Sequence, residues 1–468
     1  MLMALVAFLL PSNRWRPSLL PMTGSVHLAL TFLTLIYPEW TIPWDWLVLD
    51  PLGKVVLLCV STLFFFCSFY AVGYLRHVIE RPNRIFVSCL SGFLGIVSLV
   101  VQAHHLGLMW VAIEATTLIT APLVYFNHTK PSIEATWKYL LVGSVGIALA
   151  LLGTFFLAFS AMQGGMPASL SWEDLLRDGS HLSKPWLRAA FILLLVGYGT
   201  KMGLAPMHSW KPDTYGESPG VVGAIFAGGV TSVAFLALLR VYQIGVAAGE
   251  AVFMSQLLLV MGVFSMAVAG MFMIGQRDIK RLLAYSSVEH MGILVLGLGI
   301  GKTAFFGTLL HVVNNTLTKG VLFLSAGNIQ RAFGSKTVSD VSGAIRRLPI
   351  SGSLFLVGFL AITGSPPFAP FVSEFSILNG AMDAGQYLVA GLFLFLLLVV
   401  FVGMGKTVLG VVQGPIPLKI KDTRYRDNFL TAAPLLALMA LVLLFGVFIP
   451  APLNQLLHEA VFSLEYPL

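Results

Sequence analysis

The chain has 468 residues, 57% of them hydrophobic and 10% charged; so few polar side chains cannot cover a water-soluble globule of that size, and lipid is the expected solvent. The formal net charge of +7 is spread singly or in small groups over short loops between apolar runs, a topology signal that excludes a nucleic-acid-binding face. Cys59, Cys67 and Cys89 fall inside apolar runs without metal-ligand spacing, so no disulfide framework, iron–sulfur cluster, metal site or other cofactor is expected, and any redox chemistry belongs to another chain.

In chain order, apolar runs bounded by charge, Pro or Gly predict helices near 2–10, 17–37, 53–76, 84–103, 107–126, 132–161, 187–210, 219–245, 252–275, 281–299, 302–330, 350–382, 386–412 and 429–451. These make about fourteen transmembrane helices of an all-α membrane protein. The first run is too short for a span and does not read as a cleavable signal peptide, so it is either a short first helix or the remainder of a longer one that starts upstream. Alternate loops differ in positive charge. About 18 of the 28 Lys and Arg, among them Arg16, Lys211, Lys280, Lys336, Lys419, Lys421 and Arg424, fall on one side and about 5 on the other. The basic side is expected in the cytoplasm of a bacterial or archaeal cell, with both termini outside the inner membrane.

Two runs are interrupted in mid-span, by Gly203-Leu204-Ala205-Pro206 and by Gly364-Ser365-Pro366-Pro367. Proline removes a backbone donor there, which lipid tolerates only where protein or a water-filled cavity satisfies the freed carbonyls. Each break falls in the fourth member of a five-helix set. The chain therefore reads as N-terminal helices (1–83), two repeats (84–245 and 252–412), and a C-terminal helix and tail (413–468). Paired broken helices point to an ion path at the midplane, and an odd number of helices per repeat makes the repeats inverted.

The candidate residues are the ionisable groups left inside apolar runs. Lys201 precedes the first break, where a charge costs about 2.5–3.5 kcal/mol on insertion scales and so calls for a partner or a function. Glu114 is the acidic residue of its span and the natural counter-charge to Lys201. Burial disfavours a lysine's proton and a nearby carboxylate favours it, so a movable partner can switch the proton on and off. Glu374 follows the second break and mirrors Lys201; it is either a proton donor and acceptor or a charge stabilised by the helix dipole. His311, Asn315 and Lys319 recur every four residues on one helix face, a ladder suited to proton hopping. Lys138 lies one turn into its helix and is either part of the path or snorkels to the interface. His208, with Asp213 and Glu217, flanks the first break as a proton entry or a loop cap, and His290 beside Glu289 is a similar case. There is no nucleophile and base pair, no phosphate-binding glycine loop and no metal-ligand cluster, so a soluble-enzyme reading has no support.

The segments Tyr198–His208, Arg277–Gly292, Leu317-Thr318-Lys319 and Ala326–Ile329 resemble the antiporter-like subunits of complex I, of Mrp-type cation/proton antiporters and of group 4 hydrogenases. Glu289-His290 after Tyr285-Ser286-Ser287, together with Ile113–Thr117, look most like the hydrogenase-4 and formate hydrogenlyase branch. The resemblance implies two inverted repeats forming linked half-channels, with Glu114 and Lys201 as the first-repeat ion pair, Lys319 as the central lysine and Glu374 as the terminal residue. It implies as partners other antiporter-like and small membrane subunits and a peripheral redox module. Alternatives are an Mrp-type sodium/proton antiporter subunit, a subunit energising inorganic carbon uptake, and a non-conducting scaffold. Two departures stand out. The family often carries a lysine or histidine where 219–239 offers Thr231 and Ser232, and Asn315 stands where many members have a second histidine. With only a short stretch after 451, the long lateral helix of the most distal complex I subunit is not expected.

Overall fold

A computed structural model describes residues 1–37, 44, 46–417 and 425–467. Lys419, Lys421 and Arg424, counted above on the basic side, lie outside the described residues. The described residues are helical throughout, with no strand. In order the helices are α1 (Leu2–Leu9), α2 (Leu19–Ile36), α3 (Pro51–Arg76), α4 (Arg84–Gln102), α5 (Leu106–Val124), α6 (Lys130–Gln163), α7 (Trp172–Arg177), α8 (Lys184–Met202), α9 (Trp210–Glu217) and α10 (Gly220–Ile225). They continue with α11 (Thr231–Ala247), α12 (Ala251–Met273), α13 (Ile279–Ile300), α14 (Lys302–Phe333), α15 (Ala344–Arg347), α16 (Pro349–Ile362), α17 (Ala369–Asp383), α18 (Tyr387–Val412), α19 (Phe429–Val447) and α20 (Ala451–Glu465).

Local sequence sets many of the ends. The Asp50 carboxylate accepts from Gly53 N at 3.1 Å ahead of Pro51, and Thr129 with Ser132 forms a capping box on α6. Each satisfies an amide that the first helical turn leaves free. Gly203 (φ 77°) and Gly334 (φ 68°) close α8 and α14 in the left-handed region that glycine enters without steric cost.

Among the described residues, ten helices are long and apolar enough to cross a membrane. α14, 32 residues long, runs through the middle and packs against α3, α10, α13, α16, α17, α19 and α20. α11 and α13 beside it are almost wholly buried. The outer helices turn apolar side chains outward, such as Leu141 and Val145 on α6 and Phe395, Leu398 and Val402 on α18. That is the pattern of a bundle whose solvent is lipid. Small residues bring helices close: a Cβ on Gly197 of α8 would come within 2.7 Å of the Ala150 Cβ on α6.

Several expectations need correction. The run 187–210 ends as a helix at Met202 and the run 350–382 at Ile362, because the freed backbone after each break turns into loop before α9 and α17. The run 219–245 carries a π-turn at Phe226–Val230. α7 and α20 have no counterpart among the predicted helices, and α20 packs on α3 and α14. Arg16, Lys211 and Lys280, counted as loop charges, are buried. Their heads satisfy backbone carbonyls and amides inside the protein, so they add nothing to the charge of the loop surface.

Candidate functional site

The first group of residues is built on α5, α6 and the end of α8. Glu114 and Thr117 lie one turn apart on α5, and the Thr117 hydroxyl donates to Glu114 Oε2 at 3.0 Å. Ser144 of α6 donates to Glu114 Oε1 at 2.8 Å. Lys201, 1% exposed, reaches this cluster from α8 and donates to Thr117 Oγ1 at 2.6 Å and to Tyr139 OH at 3.3 Å. The expected Glu114–Lys201 ion pair is therefore not a direct contact: Thr117 stands between the two. A hydroxyl both accepts and donates, so it carries the interaction without bringing the charges together.

The end of α8 leaves carbonyls without helical partners. Trp210 Nε1 donates to Thr200 O at 2.9 Å, and Lys211 Nζ donates to Met202 O at 2.6 Å and to Ser287 O of α13 at 3.3 Å. Both donors come from the first turn of α9, which folds back under the break. His208 sits half-buried in the break beside the rings of Phe272 and Tyr285.

The second group lies on α13, α14 and α17. Lys319, fully buried, donates to Ser286 Oγ at 2.6 Å. His311, two turns away on α14, has Nε2 2.9 Å from His290 Nδ1 and Nδ1 2.9 Å from Ser373 Oγ. The two rings stack with centroids 5.1 Å apart. Between Lys319 and His311, Asn315 has both amide atoms buried without a protein partner. Glu374 is buried with Oε1 unpartnered, and a Cβ on Gly364 at the second break would collide with its Oε2. Ala369 opens α17, so Glu374 is already in the second turn, where the helix dipole has largely faded.

One nitrogen or oxygen each from His290, His311 and Glu374 lies within 4.8 Å of the others, close enough to converge on a cation. Sequence spacing hides this trio, because it comes from three helices. The facing nitrogens of the two histidines are engaged with one another, which favours proton exchange between them.

Lys138 does not join the axis. It is exposed, and Nζ contacts Glu134 Oε1 and Asp213 Oδ2, each at 2.7 Å. Asp213 also takes Arg281 at 2.6 Å. The position one turn into α6 puts Lys138 at the edge of the bundle, where a long stem reaches polar surroundings. Arg240 is buried and engaged by neighbouring acceptors. Its guanidinium donates to Asp50 Oδ1 at 2.8 Å, to Ala103 O and Val101 O at 2.6 Å each, and to Val100 O at 3.3 Å. Residues that sequence reasoning passed over are Thr117, Tyr139, Ser144, Ser286 and Ser373, whose hydroxyls carry no signal in an apolar run, and Lys211, which reads as loop.

The sequence profile of the NADH:quinone oxidoreductase/Mrp antiporter transmembrane family matches residues 103–401. The chain belongs to that family. A hydrogenase-4 component F homologue of Methylacidiphilum infernorum is 35% identical over 418 residues, covering 87% of this chain and 86% of the relative. NADH-quinone oxidoreductase subunit N of Desulforudis audaxviator is 32% identical over 356 residues, covering 74% and 69%. In fold, the chain superimposes on a chain of the Mrp complex from a Dietzia species with a TM-score of 0.88 at 20% identity, covering 100% of this chain and 96% of that one. It is thus a multi-pass, antiporter-like membrane subunit of the type found in complex I, Mrp and group 4 hydrogenase complexes, and its relatives are subunits of multisubunit membrane assemblies.

Proposed function

We propose that this subunit translocates protons in a redox-driven membrane complex of the group 4 hydrogenase or complex I type. One observation carries the reading: ionisable side chains run from the half-buried Glu114 on α5 to the buried Lys201 at the first break, through buried Lys319, to buried His311, His290 and Glu374 at the second. Buried charges in lipid-embedded helices are costly and are kept where they do work. Lys201 holds or releases its proton according to whether the Thr117 hydroxyl couples it to Glu114. The proton passes to Lys319, and from there through the Asn315 turn to the histidine pair and Glu374. Two proton-bearing side chains that share a hydrogen bond, as His290 and His311 do, exchange a proton by changing tautomer.

In this reading the architecture is two inverted five-helix repeats, α4–α11 and α12–α18, each with a helix broken into two. About fourteen spans result when the two broken helices, the more polar α14 and the short α1 are counted with the ten apolar ones. The repeat boundaries 84–245 and 252–412 are supported by matching neighbours, since α5 packs on α6 as α13 does on α14, α6 on α8 as α14 does on α16, and α6 on α9 as α14 does on α17. The chain sits in a bacterial or archaeal inner membrane with its basic loops in the cytoplasm and both termini outside. Its neighbours are other antiporter-like and small membrane subunits, with a peripheral redox module supplying the energy.

The test is gentle purification of the chain with its neighbours, reconstitution into liposomes, and measurement of proton movement with the K201A variant beside the wild type. The expected result is a co-purifying redox module, wild-type proton transport on addition of its electron donor, and loss of transport in an assembled K201A complex. Sodium-dependent transport without any redox module would replace this reading with sodium/proton exchange. Loss of the whole complex from the membrane in K201A would make Lys201 structural.

A further inference from the structure

Lys211 stands in Trp210-Lys211-Pro212-Asp213, a stretch that reads as surface loop, yet its side chain is 0% exposed. Its stem lies across the end of α8 so closely that a Cβ on Gly203 would come within 2.6 Å of Lys211 Cδ and 3.1 Å of Nζ. The ammonium has two protein acceptors. Met202 O adjoins Lys201, and Ser287 O adjoins Ser286, which takes the Lys319 ammonium. Lys211 therefore occupies the interval between the two lysines of the axis.

α11 offers no proton carrier in that interval. On α11, Thr231 Oγ1 and Ser232 Oγ donate back to Ala227 O and Gly228 O of their own backbone, each at 2.7 Å. Arg240, about two and a half turns along, is locked onto Asp50 and three carbonyls. The titratable groups on the elements packed around Lys211 are Lys184, Arg188, Tyr198 and Lys201 on α8, His208 in the break, Asp213, Tyr215 and Glu217 on α9 itself, Glu114 on α5, Lys130, Glu134, Lys138 and Tyr139 on α6, and Lys280, Arg281, Tyr285, Glu289 and His290 on α13, with Lys319 beyond on α14. No carboxylate lies within 4 Å of Lys211 among the described residues, so its proton is not held by an ion pair.

Resting on the proton-translocation reading above, we propose that Lys211 is the middle proton carrier of the axis, linking Lys201 to Lys319 in place of a titratable group on α11. A protonated lysine has three N–H donors, and a neutral amine has two and one lone pair. The same two carbonyls can be served in both states, while the third position alternates between donor and acceptor. The proton leaves the Lys201 ammonium, is taken up by the lone pair on Lys211 Nζ, and departs toward Lys319, with no other bond made or broken.

The rival role is a pure cap for the broken helix, and arginine separates the two. Arginine keeps the positive charge and the donors but does not give up its proton in proteins. The experiment compares K211R, K211M and K201A with wild type in the purified, reconstituted complex, under whichever electron donor or sodium gradient energises the wild type, normalised to assembled complex. Expected is normal assembly of K211R or K211M with proton transport lowered at least tenfold. Transport near wild type in an assembled K211R or K211M overturns the proposal, and so does failure of both variants to assemble, which assigns a structural cap. If K201A also transports normally, the translocation reading itself falls; if K201A is dead and K211M active, only the role of Lys211 does.

Discussion

Thr117 Oγ1 is the single atom through which Lys201 and Glu114 meet, accepting from the ammonium at 2.6 Å and donating to the carboxylate at 3.0 Å. A switch built on this contact needs only a rotation of the threonine side chain, which breaks both hydrogen bonds at once. T117V keeps the branched shape and volume and removes the hydroxyl, leaving the lysine coupled to Tyr139 alone. Proton transport should fall about tenfold or more with assembly unchanged, as expected when a charge-assisted hydrogen bond of about 1.5–3 kcal/mol is removed. T117S should retain most of it. Transport in T117V equal to wild type would show that the hydroxyl is packing only.

At the other end, E374Q keeps the size and one carbonyl of the side chain but can no longer take up or release a proton. Transport should be abolished in an assembled complex, whereas E374D should keep a fraction. S373A removes the partner of His311 Nδ1 and should slow transport less severely, by mixing the tautomers of the histidine pair. Equal rates in all three would separate Glu374 from the path.

Lys138 should behave differently. Its ion pairs with Glu134 and Asp213 are exposed, and such pairs contribute less than about 1 kcal/mol. K138A should leave both transport and thermal stability close to wild type. A large loss of transport would return Lys138 to the axis.

Arg240 should be a stability residue. Removing one partner of a buried pair costs about 3–5 kcal/mol, because the other charge remains without compensation. R240M strands Asp50 and three carbonyls, so little assembled protein should be recovered. R240M/D50N should recover more, since the second change removes the stranded charge. Full assembly of R240M with impaired transport would make the arginine functional.

Glu250 lies in the loop between α11 and α12, outside the spans, and takes Arg188 at 2.6 Å and Lys184 at 3.5 Å. The hydrogen bond from Arg188 holds its carboxyl below the usual range, against a smaller opposing effect of burial. A carboxylate depressed in the folded state stabilises at pH above its unfolded value of about 4.3, and that contribution is lost as pH falls through the lower folded value. Melting curves of wild type and E250Q should therefore differ at pH 6 and converge in acid. A constant difference down to pH 3 would contradict the assignment.

Most of the span positions were legible because a lipid-facing helix must be apolar over its whole length, and the breaks at Gly203 and Gly364 because proline and glycine in mid-span have few other uses. Lys201, Lys319 and Glu374 stood out as charges in apolar runs. Lys211 did not, because the residues around it are as polar as any loop; its burial depends on α9 folding back under the end of α8, which no local pattern records. Lys138 stays open in the sequence for the opposite reason, since an apolar run says how long a helix is and not where its first turn meets water. The facing of His290 on His311 was illegible because it depends on how two helices pack.

α14 is a single unbroken helix, so the eight residues from His311 to Lys319 hold those groups about 12 Å apart at 1.5 Å per residue, and no motion of the backbone short of unwinding can shorten the gap. Two unit charges at that distance in an effective dielectric of about 20 repel by about 1.4 kcal/mol, roughly a tenfold bias against both being occupied at once. The helix thus acts as a ruler that meters traffic: a proton at the histidine end must leave before the lysine end is readily filled again, and protons move through in single file.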